Sequence, residues 1–385
     1  MSFLHARSAI PYGSVIGPKF LRAARRILRE YEDEDLLYPD SSSIQVRMLL
    51  STSIQQSVGE NGLAWHFVGE ASLIARRLRL YSENVVNQYP PLEATLLRHC
   101  FWSLYIADSA GTCMRNRAIV LYEPLFDAEL DLATIGFDQA PLLDPEFGGV
   151  SDGFEISLLQ GFHHIRCNWS TAADLLLAIR EYGKRHPLGP GQEQTADATQ
   201  IATLTNMYSE FNALLDETPP PIQPPMVFEH ELEVITEHQQ ACYKSQRFRV
   251  LSIHYCAKLM IMHECSRHGL TAIVGFRNDD ASFTNEEINV ARDFVHNLQS
   301  IPFNYLEENG EPGVELMRSV GSILLEISQN SEMALSRQRA LSQLSVLLDI
   351  LARLDSKASA KLTAELSDGF FPSPGSMGNG VETPV

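Results

Sequence analysis

The sequence predicts an all-α protein: one large irregular helical domain of about ten helices, followed by a disordered C-terminal tail. Apolar residues recur at the three- and four-residue spacing of amphipathic helices along most of the chain. No strand pattern of comparable strength occurs, and only residues 272–276 form a candidate strand. Of the 385 residues, 44% are hydrophobic, which is enough to bury a large core.

The first two strongly periodic segments lie near the start of the chain. Residues 44–56 are predicted to form a helix, and the serines at 41–43 can cap it. A second helix is predicted over residues 64–78, after a Gly-containing break, and Asn61 is its expected N-cap. One stripe of this helix is apolar throughout and is expected to be buried: Ala64, Phe67, Val68, Ala71, Ile74, Ala75 and Leu78.

A third helix is predicted to begin after Pro90 and Pro91 and to run to about Asp108 or beyond. Residues 118–153 then lose the helical period and accumulate Pro, Gly and Asp, so they are predicted to form a long irregular connection. The chain could form one extended helical domain or two lobes, and this connection is the candidate boundary between the lobes. The inner face of the third helix carries Leu96, Leu97, Cys100, Phe101, Leu104 and Tyr105.

Six further helices are predicted at about residues 154–184, 196–216, 229–268, 284–301, 313–329 and 334–356. The last of them contains a 3-4-3 leucine spacing that extends over less than two heptads, which favours a core helix over a coiled coil. Residues 368–385 contain few apolar groups and cannot offset the entropy of ordering. The expected organisation is therefore a domain over residues 1–356 and a disordered tail over residues 357–385.

Charge and cysteine content narrow the function classes. With 30 Lys and Arg against 48 Asp and Glu, the formal net charge is −18, which disfavours contact with phosphate backbones, so no direct nucleic-acid binding is expected. The six cysteines are widely spaced without a C-x-x-C pair, so neither a zinc site nor a disulfide framework is indicated. No membrane span and no signal peptide are recognisable, and the sequence is interpreted as that of an intracellular protein.

Three sequence blocks follow one another at residues 43–50, 64–78 and 98–108: SIQVRMLL, then AWHFVGEA with ARRL, then RHCFWSLYIAD. In content, order and spacing they resemble successive blocks of the middle homology region of fungal zinc-cluster transcription factors. A weaker likeness at residues 246–248 and 291–295 extends the resemblance over nearly all of the domain. The resemblance implies a nuclear, helical regulatory region that controls transcription in response to metabolites or partners.

Eight positions match the family's motif, and structural roles are expected for them. Phe101 and Trp102 are expected to anchor the core, and Asp108 and Arg117 to form a charge-assisted bond. Gly69 costs about 1 kcal/mol relative to alanine inside a helix, so we interpret it as a point of close approach by another helix. The full set is Trp65, Gly69, Ala71, Arg98, Phe101, Trp102, Asp108 and Arg117.

The chain also departs from the family's pattern. Asn116, Arg117 and Ala118 stand where members usually have Gly-Arg-Pro, so only the arginine is kept. The six-cysteine zinc cluster is absent, and zinc and DNA binding are therefore implied for the family alone. Both a fragment of a longer factor and a natural regulator without a zinc cluster remain open. The candidate partners are a small-molecule effector, the transcription machinery and a second copy of the chain.

No arrangement of residues indicates an enzyme. The motifs of a phosphate-binding loop and a nucleophile elbow are missing. His263 and His268 are five residues apart on a predicted helix and diverge too far to share a zinc ion. We therefore expect no catalytic residues and no metal ligands. The alternatives to a regulatory domain are a DNA-independent adaptor or inhibitory partner of a transcription factor and, less favoured, a helical enzyme. Such an enzyme would draw on dispersed side chains: Asp108, His163, His164, His254 and Glu264.

Overall fold

The all-α prediction is confirmed by a computed structural model, which has no strand among the residues that it describes. None of the helices in these residues is both long and apolar enough to cross a membrane. The predicted disordered tail, residues 357–385, lies outside the described residues. The described ranges are 13–58, 61–115, 117–134, 153–186, 198–219, 222–223, 236–276 and 280–354.

The described residues of the N-terminal part include six helices, and three of them, α3, α4 and α6, correspond to the three helices predicted there. α3 already begins at the serines expected to cap it, and α6 continues seven residues beyond Asp108, from 108 to 115. The helices are α1 (Gly13–Glu30), α2 (Glu32–Leu37), α3 (Ser41–Val58), α4 (Asn61–Arg77), α5 (Glu83–Val86) and α6 (Pro91–Arg115).

The described residues from 153 onwards include six more α-helices, each overlapping one predicted segment. They are α7 (Gly153–Arg185), α8 (Ala198–Asp216), α9 (Glu237–Arg267), α10 (Asp280–Gln299), α11 (Phe303–Asn330) and α12 (Ala334–Arg353). Between α6 and α7, the described residues 117–134 are irregular except for the 3₁₀-helix Glu123–Leu125, and part of the predicted connection, residues 135–152, lies outside the description.

The candidate strand at residues 272–276 is wrong, because a 3₁₀-helix, Thr271–Val274, lies there. Gly275 follows it with a φ of 92°, a left-handed conformation that glycine adopts without the steric penalty of a side chain. The amide of Phe276 then donates to the carbonyl of Thr271 across 3.0 Å, which closes the turn. Local backbone geometry thus overrides the β-branched composition of this segment.

Helix α11 begins ten residues earlier than predicted, at Phe303 rather than at 313, and it is kinked. Gly310 has a φ of 57° and a ψ of −150°, so the helix is interrupted at this residue. Pro312 has no amide hydrogen to donate to the preceding turn, which adds to the break. The sequence prediction located the segment after the kink and missed the short one before it.

Buried ion pairs fasten the N-terminal helices to each other. Arg47 of α3 is 1% exposed, and its guanidinium is paired with Asp35 of α2 and with Glu70 of α4, the latter at 3.1 Å. The same guanidinium donates to the carbonyl of Ser43 across 2.8 Å. One arginine therefore joins three helices, and its charge is compensated by two carboxylates.

Buried apolar side chains form two large cores. The N-terminal core contains Phe101 and Leu104 of α6 with side chains of α4, and the larger C-terminal core is built mainly from α7 and α9 to α12. Helix α6 contributes to both, because Ala110 and Cys113, further along the same helix, belong to the C-terminal core. A division into two lobes near residues 118–153 stays a prediction.

The leucine pattern of α12 belongs to a core helix. Leu344 and Leu351 are buried in the C-terminal core, while Leu341 is partly exposed. The helix packs against α10 and α11 of the same chain. These contacts agree with the interpretation of the spacing as a core stripe.

Candidate ligand-binding cavity

A cavity of about 380 Å³ lies between α6, α7, α9, α10 and α11. Its volume falls in the range of small-molecule sites, roughly 300–1,000 Å³. Apolar side chains make up most of its wall: Ile106, Phe162, Ile165, Trp169, Phe248, Ile253, Phe294, Leu298, Leu306, Leu316 and Met317.

Helical spacing explains how the wall is built. Ser103, Ile106 and Ala110 of α6 stand at i, i+3 and i+7, so they share one face of that helix. Phe162 and Trp169 of α7 are also seven residues apart and face the same space. The kinked part of α11 closes the cavity with residues on both sides of the break, Asn309 before it and Pro312 after it.

Arg249 of α9 is the single ionisable side chain in the described part of this wall. Burial lowers the pKa of its guanidinium, and no neighbouring carboxylate counteracts that shift. The side chain makes no hydrogen bond or ion pair with the described residues. Much of its surface is nevertheless accessible to water.

Two further polar side chains stand near Arg249 on the same helix. Gln246, one turn earlier, donates from Nε2 to the carbonyl of Leu158 across 2.7 Å, which fixes the orientation of its amide. Its Oε1 atom is buried and has no hydrogen-bond partner. Ser252 accepts a hydrogen bond from Asn297 Nδ2 at 2.9 Å, so its own hydroxyl hydrogen is available. The cavity thus has one cationic side chain and a few polar ones within an apolar wall.

A smaller cavity of about 190 Å³ is lined by the ionisable side chains of Arg180, His263, Glu264 and Arg318. Arg180 Nε lies 3.1 Å from Glu264 Oε1, and His263 Nε2 lies 3.2 Å from Glu326 Oε2. Burial lowers the pKa of His263, but the carboxylates of Glu287 and Glu326 outweigh burial and raise it. These ion pairs join α7, α9, α10 and α11, and we interpret the paired groups as a structural network.

The side chains considered for a dispersed active site have separate partners, and none of them lines the central cavity. His254 Nδ1 lies 3.0 Å from Asn168 Oδ1, its ring stacks on Phe211, and burial lowers its pKa to about 3. Burial likewise lowers the pKa of His163 to about 4. His164 lies 3.4 Å from the hydroxyl of Thr218. Within the described residues, no group of three or more His, Cys, Asp or Glu side chains is placed to hold a metal ion.

Phe101 and Trp102 are buried, at positions where the sequence predicts core anchors. Their exposed fractions are 0% and 3%, and the two rings meet edge to face with centroids 5.1 Å apart. Trp102 donates its indole N–H to the carbonyl of Ala133 across 3.0 Å, which ties the irregular connection to α6. Arg166 of α7 covers the face of the same indole at 4.5 Å.

Asp108 and Arg117 were predicted to bond to each other, but each contacts a different group. Asp108 Oδ2 accepts the backbone amides of Val120 and Leu121, each at 2.7 Å. Burial raises the pKa of this carboxyl, and the two amide bonds oppose that effect only in part. The Arg117 guanidinium lies over the Trp65 ring, 4.4 Å from its centre. The short carboxylate reaches the turn that follows α6, whereas the longer arginine reaches across to α4.

The expectation for Gly69 is wrong. A Cβ atom built at Gly69 meets nothing within 4 Å, so no helix approaches it closely. The close approach lies instead at Gly111 of α6, where a Cβ atom would lie 2.5 Å from Cη2 of Trp65. The tryptophan therefore packs directly against a helix backbone, which only glycine permits.

Arg98 and Ala71 complete the motif positions. Ala71 is fully buried in the N-terminal core. Arg98 is 7% exposed, pairs with Glu83 and donates to the amide oxygen of Asn87 at 2.6 Å. Burial raises the pKa of Glu83, but bonds from Arg98 and from the amide of Ala133 outweigh burial and lower it. All of these contacts hold helices and loops together.

Comparison with known proteins finds no matching family model, no matching curated protein and no matching solved structure. The resemblance to fungal transcription-factor regulatory regions is carried by the sequence blocks alone. In the structure the three main blocks lie on α3, α4 and α6, which pack against one another.

Sequence reasoning missed the central cavity and Arg249. One signal was present in the sequence, since Arg249, Ile253, Cys256 and Met260 follow the 4-3-4 spacing of one helix face, and the first of them is charged. A basic residue within an apolar stripe indicates either a buried ion pair or a binding site. The partner that would distinguish these cases is visible only in three dimensions.

Proposed function

We propose that this chain is a non-catalytic regulatory domain that controls transcription in the nucleus when a small molecule occupies the central cavity. The observation that carries the proposal is the cavity itself: apolar, of ligand size, and with Arg249 as the single ionisable side chain in its described wall. Sites of this kind bind small molecules through apolar contact and obtain specificity from a few polar atoms.

The composition of the wall favours binding over catalysis. General acid–base chemistry requires a group whose pKa lies near the working pH, usually a histidine or a carboxyl, and the described wall has neither. An arginine side chain stays protonated and transfers no proton under physiological conditions. The wall therefore supports recognition of a molecule without its conversion.

The position of the cavity explains how occupancy would be transmitted. The wall side chains on α6 share that helix with Phe101 of the N-terminal core and Cys113 of the C-terminal core. On the other side, the wall includes the kink of α11, where the helical hydrogen-bond ladder is already interrupted. A ligand that binds one arrangement of these helices better than another shifts the population between them.

The transcriptional part of the proposal rests on the resemblance of the blocks at residues 43–50, 64–78 and 98–108. DNA binding would be supplied by a zinc cluster in a longer form, because the net charge of −18 opposes direct contact between this chain and DNA. A DNA-independent adaptor that acts on another factor is the alternative role for the same domain.

Binding can be tested with Nile red, an uncharged dye that fluoresces in apolar sites. We expect saturable binding of one dye per chain. The substitution Ala110→Phe, which fills the cavity from α6, should abolish it, while Ala352→Phe at an exposed position of α12 should not. Equal binding by both variants would contradict the assignment of the site.

The regulatory role can be tested by fusing the chain to an unrelated DNA-binding domain ahead of a reporter gene. Reporter output should differ from that of the DNA-binding domain alone, and Ala110→Phe should change it while Ala352→Phe should not. Output equal to that of the DNA-binding domain alone would refute transcriptional control by this chain in cis and favour the adaptor.

A further inference from the structure

The central cavity contains a positive charge without a counter-charge. Arg249 lies in a wall that is otherwise uncharged in its described part, and burial lowers the pKa of its guanidinium with no carboxylate to oppose the shift. The side chain is accessible to water and has no carboxylate partner among the described residues, so an anion that enters the cavity can reach the guanidinium. Two buried arginines, in contrast, are already paired: Arg47 with two carboxylates and Arg98 with one.

We propose that the cavity binds an amphipathic monocarboxylate, with its carboxylate on Arg249 and its apolar body against the aromatic and aliphatic wall. This inference rests on the proposed function, because it specifies the ligand of the same site. The planar guanidinium presents parallel N–H donors that match the two oxygens of a carboxylate. The hydroxyl of Ser252, one turn further along α9, supplies another donor to the same region.

The wall of the cavity favours a ligand with a single negative charge. A dicarboxylate or a phosphate dianion would leave a second negative charge without a cation, in surroundings that offer few donors. The net charge of −18 adds long-range repulsion that grows with ligand charge.

Four compounds with the same apolar body separate these contributions: octanoate, octanol, octylamine and the dicarboxylate suberate. Each is used to displace Nile red from the full chain. With the unsubstituted protein, octanoate should displace the dye at a concentration about tenfold or more below that of octanol, as expected for one charge-assisted bond in an apolar site. Octylamine and suberate should be the weakest competitors.

Substitutions at Arg249 test whether this residue causes the preference for octanoate over octanol. Arg249→Met keeps the length and apolar stem of the side chain, and it should remove the preference of octanoate over octanol while Nile red still binds. Arg249→Lys keeps the charge without the planar fork and should retain a smaller preference. Arg337→Met, at an exposed position of α12, is the matched control and should behave like the unsubstituted protein.

The outcomes separate this inference from the proposed function. If the unsubstituted protein binds Nile red but octanol competes as well as octanoate, the anion site is refuted while the apolar cavity stands. The same conclusion follows if Arg249→Met and Arg249→Lys both keep the full preference. If Nile red does not bind at all, the proposed function fails, and this inference fails with it.

Discussion

Replacing Gly111 by alanine should destabilise the protein, and the same replacement at Gly69 should stabilise it. At Gly111 the new Cβ atom would lie 2.5, 2.9 and 3.1 Å from three atoms of the Trp65 ring. The ring cannot bend, and Arg117 covers its face at 4.4 Å, so one of the helices must shift. Overpacking of this kind costs roughly 1–3 kcal/mol.

The intrinsic helix preference acts in the opposite direction at both sites. Alanine is favoured over glycine inside a helix by roughly 0.5–1 kcal/mol. At Gly69, where nothing lies within 4 Å of the new atom, this gain is expected in full. At Gly111 it offsets only part of the steric cost, which leaves a net loss of about 1–2 kcal/mol. The two variants should therefore differ by about 2–3 kcal/mol in free energy of unfolding.

Urea unfolding followed by far-UV circular dichroism measures both variants against the unsubstituted protein. The double variant Trp65→Leu with Gly111→Ala provides the control, because a smaller side chain gives space to the new methyl group. Its loss of stability should be less than the sum of the two single losses. A destabilised Gly69→Ala together with a neutral Gly111→Ala would refute the packing and restore the interpretation of Gly69 as the close contact.

The remaining predictions concern charged and titrating groups. Burial lowers the pKa of His263, but Glu287 and Glu326 outweigh burial and raise it. The contribution of protonated His263 to stability is therefore complete below about pH 6.5 and is lost as pH rises through the raised pKa. In urea unfolding, His263→Gln should cost more stability at about pH 6 than at about pH 9. The pKa of His254 is lowered to about 3, so the unsubstituted protein loses stability at this residue as pH falls below about 6.5. The difference in free energy of unfolding between the unsubstituted protein and His254→Gln should therefore shrink between about pH 7 and about pH 4.5. Arg47→Met should lower the free energy of unfolding by about 3 kcal/mol, because it leaves two carboxylates without the arginine that pairs with them. Thermal and urea unfolding both measure this loss. A loss below about 1 kcal/mol would contradict the bonding described for this residue.

The helices could be predicted because each has an apolar stripe with the three- and four-residue spacing of an α-helix. The segment at 64–78 shows why: once Ala64, Phe67 and Ala71 must share one face, no strand can bury them together. The short helical segment before Gly310 was not predictable in this way. It spans barely two turns, too few for a period to stand out.

The contacts between helices were not predictable from local pattern. Gly69 and Gly111 are both glycines inside helices, and their neighbours along the chain give no reason to expect open space at one and a tryptophan at the other. The cavity was even less predictable, because the residues of its wall come from positions as far apart in the chain as Met48 and Met317. Only the relative placement of the helices decides that these side chains share a space and that Arg249 faces it.

Helix α6 supplies side chains to both large cores, and this has a consequence for how the protein unfolds. Phe101 and Cys113 lie on one uninterrupted helix, so melting either core removes the support for the segment that completes the other. The two cores are therefore expected to lose structure together, with one heat-absorption peak and with equal calorimetric and van't Hoff enthalpies. A protease that cuts only opened chains should accordingly find few stable intermediates that retain half of the domain.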